Sequence, residues 1–353
     1  MQNFTAHCLR FVTEVQSTIE LNEHQGSAIR GSLFHAMRRR FCGNRKADEC
    51  AACPLVAACP VATLVSTLKP GSVRGRDVPR PFTVQPPLPG EGGHPVEDER
   101  GRLFFRYRQG ERFEFGLTLY AQALQLFPYV VLTAKTFEEG GIGRRVERDD
   151  GRWRRGVLTI REVWAENPLT GERQPVIESG DDMVQIPDAP ITHAQVCKFA
   201  SMQVGKSASG RVAIRFLTPT RIIERGRLLK PHQFRFKPLF QRLLDRLEAL
   251  SRDFSDTKLE VEFPALVKAA EGVRVVDNRL WWEELRSYST RQRKDTPTSG
   301  LLGTVELEAD DWRPFLRWLV WGQFVHVGKD ATKGNGWYEL AVSRKRGFRR
   351  RMR

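Results

Sequence analysis

No stretch of this 353-residue sequence is apolar for long enough to cross a membrane. The best attempt, FPYVVLTA, falls far short of the ~18 uninterrupted apolar residues that a spanning helix needs. A continuous apolar signal core is missing as well. The opening MQNFTAHCLRFVTEV alternates apolar and polar residues, which reads as a first strand and leads us to expect a cytoplasmic protein with no membrane partner. Cysteine is scarce, six residues in all, and without a secretion signal these are not expected to form disulfides. Acidic residues are short relative to basic ones, 42 against 57, for a net charge of +15. The closing RKRGFRRRMR carries seven of the basic groups, so the remainder still holds +8. Such a balance favours a polyanionic partner, because each neutralised phosphate releases condensed counterion. The plainer alternative is a basic protein kept soluble by its charge. A phosphate-binding P-loop is also lacking: GKSASG at 205–210 imitates its end, but the first glycine of that pattern falls on Ala200. That segment reads as a flexible connector.

What is present suits a folded chain of about two domains on a ~150-residue prior, with 40% hydrophobic and 28% charged residues. Residues 5–15 alternate as a strand, and a helix is expected from about Ser27 to Phe41 with Ile29, Leu33, Ala36 and Met37 on its apolar face. A cysteine-rich loop at 42–60 follows, then a Pro-rich segment at 78–96 that can be neither a regular helix nor a central strand. GRLFFRYRQGERFEFGLTLY reads as a strand pair, AQALQLFPYVVLTAKTF as a helix, EEGGIGRR as a Gly-rich turn and GVLTIREVW as a strand. The pattern loosens at 181–210, which we read as a linker between an N-terminal domain at 1–180 and a C-terminal domain at 211–343. The second half opens with RVAIRFLTPTRII as a strand. A long amphipathic helix follows at about 232–254, with Leu239, Leu243, Leu247 and Leu250 in line. RVVDNRLWWEELRSYST and LLGTVELEA read as strands, DWRPFLRWLVWGQFV as a helix capped by Asp310 or Asp311, and YELAV as the last strand. Residues 344–353 form a basic tail. Each half runs strand, helix, strands, helix, Gly-rich turn, strand: an α+β protein with the split βαββαβ layout used twice.

Four of the cysteines spell C-x7-C-x2-C-x5-C at Cys42, Cys50, Cys53 and Cys59. Two thiolates with a two-residue spacer can share one metal, and the outer two can complete a tetrahedral set with no open position. A structural zinc is therefore expected, with an iron–sulfur cluster as the alternative. Cys8 and Cys197 stand alone and read as small core residues. On a helical wheel His35 lies opposite the apolar stripe, with Arg38 and Arg39 three and four residues on. Nearby cations hold a histidine neutral near pH 7, as a general base requires. RNA brings its own nucleophile, the 2′-hydroxyl, so a metal-free cut needs a base, a proton for the leaving oxygen and positive charge on the phosphate. His35 with Arg38 or Arg39 can supply the first and third; a solvated histidine on a basic helix is the bland reading. His326, in FVHVGKD, is a rival. The turns GGIGRR and VGKDATKGNGW combine glycines with Arg144, Arg145, Lys329 and Lys333, a pairing suited to phosphate and equally to an ordinary turn.

Taken in order, GSLFHAMRRRF, the cysteine cluster ending CP, PRPFTVQPP, GGIGRR, RFLTPTRI, RSYSTRQ, GLLGTVEL and FVHVGKDATKGNGWYEL resemble the CRISPR-associated endoribonucleases of the RAMP superfamily that process precursor CRISPR RNA. The resemblance covers nearly the whole chain. It implies two ferredoxin-like (RRM-like) domains, here with an inserted four-cysteine metal knuckle, and Gly-rich loops facing a bound CRISPR repeat. It also implies metal-independent cleavage by 2′-hydroxyl attack. A histidine on the first helix is the base in many members, and that position is His35, with Arg38 or Arg39 as its cationic partner. Arg144, Arg145, Arg286, Arg291, Lys329 and Lys333 are the residues expected to hold RNA. The implied partners are CRISPR repeat RNA and, where the chain joins an effector complex, other CRISPR subunits. The final glycine loop departs from the pattern: Lys333 and Asn335 stand where relatives often carry an aromatic and an aliphatic residue. Two rival functions are a noncatalytic guide-RNA-binding RAMP subunit and a zinc-stabilised nucleic-acid adaptor.

Overall fold

Two antiparallel sheets, each covered by helices, form the body of the protein. They are described by a computed structural model that covers residues 1–353 apart from 2, 48–49, 66–78, 182, 207–209, 256, 258, 260, 290–293 and 343–353. Arg291 and the basic tail lie outside the described residues, as do parts of the Pro-rich and connector segments. None of the described helices is long and apolar enough to cross a membrane.

The first half runs β1 (Thr5–Val15), β2 (Ile19–Asn22), α1 (Gln25–Phe41), α2 (Pro60–Val65), β3 (Phe82–Gln85), β4 (His94–Glu97), β5 (Leu103–Tyr107) and β6 (Arg112–Tyr120). It continues through α3 (Phe127–Lys135), α4 (Phe137–Gly140), β7 (Ile142–Glu147), β8 (Trp153–Gly156), β9 (Leu158–Asn167) and β10 (Glu172–Ile177). Its main sheet has the order β10-β9-β1-β6-β3. The Pro-rich segment enters that sheet only as its edge, β3, a proline-free stretch flanked by Pro81 and Pro86, since a proline has no N–H to give a ladder. The apolar stripe of α1 is buried as its spacing required: Ile29, Leu33, Ala36 and Met37 pack with Leu9, Phe11 and Leu117 in one core. The stretch AQALQLFPYVVLTAKTF is helical in two parts, a 3₁₀ segment at Ala121–Leu126 and α3, with Pro128 just inside the start of the latter.

The expected linker at 181–210 is not structureless. It contributes β11 (Ile191–Thr192), paired with β1, and α5 (His193–Lys206). Val196 and Ala200 of α5 are buried in the core of the second half, which explains the helix despite its weak pattern. Cys197, expected in a core, is only half buried on that helix, whereas Cys8 is buried as expected and its thiol is pushed up to about 11 by burial.

The second half comprises β12 (Arg211–Thr220), β13 (Ile223–Glu224), β14 (Arg227–Leu228), α6 (Phe236–Phe254) and α7 (Phe263–Ala269). β15 (Arg274–Glu283), β16 (Arg286–Ser289), β17 (Lys294–Pro297), β18 (Gly300–Glu308), α8 (Arg313–Val325) and β19 (Tyr338–Val342) complete it. Its sheet has the order β15-β18-β12-β19, and Leu239, Leu243, Leu247 and Leu250 of α6 are fully buried beneath it. The N-cap of α8 is Trp312 and not either of the expected acids, although Asp311, one residue earlier, accepts a 2.9 Å bond from the Arg313 N–H.

The halves share a core. Phe4 on the lead into β1 sits edge-on to Trp321 of α8 at 5.2 Å, and the Tyr120 hydroxyl donates to the Phe324 carbonyl at 2.9 Å.

Candidate active site

Helix α1 carries the basic face. It begins at His24 and ends with Arg38, Arg39 and Arg40 in its last turn, where cations complement the helix dipole. Arg45 folds back to donate to the Arg39 carbonyl at 2.6 Å, so the loop after the helix satisfies one of its terminal acceptors.

His35 is exposed midway along this helix, its ring set edge-on to Phe34 at 5.4 Å. Its pKa is lowered first by partial desolvation and then by the charges of Arg155, Arg30 and Arg38. Arg155, on β8, is in turn pulled down by desolvation and by Arg145 and Arg39. An imidazole held neutral and ringed by guanidinium groups is suited to accept a proton beside a phosphate.

The glycines of GGIGRR serve this clustering. A side chain at Gly140 would strike the Arg39 guanidinium. One at Gly141, whose φ is +65°, would strike the Gly156 carbonyl and the Arg155 side chain. The motif is thus less an open turn than the close packing of β7 and β8 against α1, and it brings Arg145 and Arg155 opposite each other.

The other expected RNA-contacting residues divide. Arg145 is exposed on that hairpin and Lys329 is exposed on the 327–337 loop. Arg144 is committed elsewhere: it pairs with Glu20, which is fully buried and also bound by Arg106 at 2.7 Å, and it lies over the Phe104 ring at 3.7 Å. Lys333 pairs with Asp330 at 2.9 Å, and Asp330 with Arg221 at 2.7 Å. Arg286 opens β16. His326 is no rival to His35, because it is fully buried at the end of α8 and burial drives its pKa to about 3.

The four clustered cysteines are half buried and unpaired, with the Asn44 amide 3.8 Å from the Cys53 sulfur. Among the described residues no three His, Cys, Asp or Glu side chains gather as a metal site, so the knuckle that the spacing predicts is not shown.

Sequence reading missed Arg30, Arg155 and Trp153. Trp153 is 61% exposed on β8, two residues from Arg155 and so on the same face of the hairpin. An exposed tryptophan between arginines in GRWRRG was the available signal.

Two family models match the chain: one described as an N-terminal domain over residues 4–189, 186 of the 353, and one described as CRISPR-associated endoribonuclease Cas6 over residues 214–338. No curated protein matches it. Among solved structures, a chain of a partial Cas6-RT-Cas1–Cas2 complex is similar with a TM-score of 0.58 and 14% identity, covering 98% of this chain and 47% of that one. A chain of the Cas6-RT-Cas1–Cas2 complex gives the same score and identity over 98% of this chain and 30% of that one. The chain therefore spans less than half the length of those two. A Thermus thermophilus Cas6 in a product complex is similar with a TM-score of 0.51 and 14% identity, over 95% of this chain and 100% of that one. At such identities the likeness is one of fold.

Proposed function

We propose, from the premise that the chain belongs to the CRISPR-associated Cas6 family of the RAMP superfamily, that it is an endoribonuclease which binds CRISPR repeat RNA and cuts it into guide RNAs. The observation that carries this reading is His35 held neutral among Arg30, Arg38 and Arg155 on the exposed face of α1. In each half the two central strands are the first and third of a βαββαβ series, which supports reading both as ferredoxin-like domains.

In this mechanism the His35 imidazole takes the proton from the 2′-hydroxyl, and the 2′-oxygen attacks the adjacent phosphorus. The bond to the 5′-oxygen breaks, leaving a 2′,3′-cyclic phosphate, and the leaving oxygen takes a proton from the imidazolium or from water. Arg38, Arg39 and Arg155 offset the charge that builds on the phosphate. No metal is required by these steps. Arg145, Lys329, Arg286 and Arg291 are proposed to hold flanking phosphates. A structural zinc at Cys42, Cys50, Cys53 and Cys59 is supported by their spacing, and no step passes through it. Other CRISPR proteins are proposed as partners, on the likeness to chains from Cas6-RT-Cas1–Cas2 complexes.

The test is incubation of the protein with its cognate repeat RNA in EDTA. Cleavage with a cyclic phosphate product is expected, reduced at least ~100-fold in His35→Ala. Cleavage unchanged in that variant removes His35 from the chemistry. Tight binding by the wild type without any cutting selects a noncatalytic guide-RNA-binding subunit instead.

A further inference from the structure

We propose that His24 and Asn335 form a latch through which the C-terminal half positions α1, and with it His35, without contributing an atom to the reaction. The inference rests on the reading of His35 as the base. Both latch residues are buried, His24 at the first turn of α1 and Asn335 in the 327–337 loop.

The hydrogen bonds fix the tautomer. His24 Nδ1 accepts from the Ser27 N–H at 3.2 Å and lies 2.6 Å from the Ser27 hydroxyl, so the ring proton is on Nε2. Nε2–H then donates to Asn335 Oδ1. Helix N-caps are ordinarily Ser, Thr, Asp or Asn, whose single short acceptor serves the helix alone. An imidazole caps with one nitrogen and reaches across to the other half with the second.

Asn335 is itself held in place. Its amide donates to the Thr298 carbonyl at 3.3 Å, and its own carbonyl accepts from His326 Nδ1 at 3.2 Å. His326 stacks on Trp337 with the planes 6° apart. The same loop closes on the helix beside the latch, since a side chain at Gly26 would collide with the Lys333 carbonyl. This use of the loop accounts for Lys333 and Asn335 in TKGNGW. Asn335 is a clamp, and Lys333 pairs with Asp330 while its backbone meets α1.

Helix α1 is packed along its apolar stripe, and its first turn is held in addition by the C-terminal half, through the His24–Asn335 bond and the close approach of the Lys333 carbonyl to Gly26. His35 stands nine residues beyond Gly26, about 13 Å along the axis, where the charge of Arg155 on β8 acts on it, so a tilt of the helix would change that influence. Burial holds the His24 pKa down at about 4. The Asn335 bond and Asp330 work the other way and Lys333 adds to the depression, so the ring stays neutral and the cap stays intact near pH 7.

Two variants of the full chain separate latching from capping. His24→Asn retains a good cap acceptor but is too short to reach Asn335, and Asn335→Ala removes the partner; Asn335→Ser substitutes if alanine does not fold. The readouts are the titration of histidine-labelled His35 by NMR without RNA, thermal melting, repeat-RNA affinity and single-turnover cleavage. Expected in both variants are an upward move of the His35 midpoint, as it leaves Arg155, and a fall in cleavage of about tenfold or more, with affinity within about twofold. An unmoved His35 midpoint with an unchanged rate overturns the latch, as does a rate loss that only follows melting. Because the titration needs neither RNA nor turnover, it stands even if His35→Ala still cleaves, so the two readings fail separately.

Discussion

Arg145 and Arg155 face each other directly across the β7–β8 hairpin. The charges that depress the Arg155 pKa, after desolvation, are those of Arg145 and Arg39, both cations. Like charges opposed across a strand pair destabilise it, and an arrangement of this kind is relieved by an anion closing over it. A phosphate of bound RNA is the anion that the proposed function supplies.

Arg145→Ala and Arg155→Ala should each weaken repeat-RNA binding and flatten the plot of log affinity against log salt by about one unit. Melting temperature should hold or rise, since a repulsion is removed. Binding titrations at several salt concentrations, with a melt of each variant, check this. A lower melting temperature with an unaltered salt slope would place these arginines in the fold rather than on the RNA.

Arg144, the neighbouring arginine, should behave in the opposite way. Its removal strips the fully buried Glu20 of one of its two guanidinium partners and the Phe104 ring of its cation. Stripping a fully buried pair from one side costs about 3–5 kcal/mol, and the cost here falls below that because Glu20 keeps Arg106 and the Arg144 side chain is 35% exposed. Arg144→Ala should therefore show a loss below that range in chemical denaturation, while the salt slope of RNA binding stays that of the wild type.

Trp153 offers a flat exposed surface on the same hairpin face as Arg155. Stacking of a base on an aromatic ring contributes about 1–3 kcal/mol, and it carries no charge. Trp153→Ala should weaken binding by that amount without changing the salt slope, and Trp153→Phe should retain most of the affinity. Full affinity in the alanine variant would leave Trp153 a solvent-facing side chain.

The fold was readable because its patterns are strong. The stripe Ile29, Leu33, Ala36, Met37 on α1 and the leucine line of α6 could hardly be anything but buried faces. Helix α5 was missed because Val196 and Ala200 are its buried anchors, with Phe199 and Val204 only partly buried, and its packing partner α8 lies more than a hundred residues away in sequence. The site was half readable for a similar reason. His35, Arg38 and Arg39 share one helix, whereas Arg155 joins them only through the packing that Gly140 and Gly141 permit. Arg144 and Arg145 are adjacent and chemically identical in sequence. Strand alternation sends one to the buried Glu20 and the other to the surface, a difference visible only once the register is known.

The cysteine cluster sets spacing against arrangement. C-x7-C-x2-C-x5-C predicts one bound zinc per chain, while the described side chains do not gather around a common centre. Elemental analysis of the purified protein should find about one zinc per chain. Its removal should lower the melting temperature and reduce cleavage only to the extent that the fold is lost. Metal-free protein with full stability would retire the knuckle. Loss of cutting with fold and RNA affinity intact would give the metal a role in the chemistry that the proposed mechanism lacks.

The dependence of cleavage on pH follows from the charges around His35. The base acts in its neutral form, so the rate should climb as pH rises through its pKa and then level off. Desolvation, Arg155, Arg30 and Arg38 all move that pKa below the ordinary value of about 6.5, which places the rising limb on the acid side of it. Arg155→Gln removes the largest of the three charges, so the pKa should rise and the limb should shift to higher pH. At an acidic pH the variant should then lose more activity relative to wild type than it does on the plateau. The plateau itself should also fall, because Arg155 is assigned to the phosphate as well as to the base. Single-turnover rates from pH 4.5 to 8.5, at saturating protein for each variant, separate the two effects. A limb that stays in place when Arg155 is neutralised would mean that the group titrating is not His35.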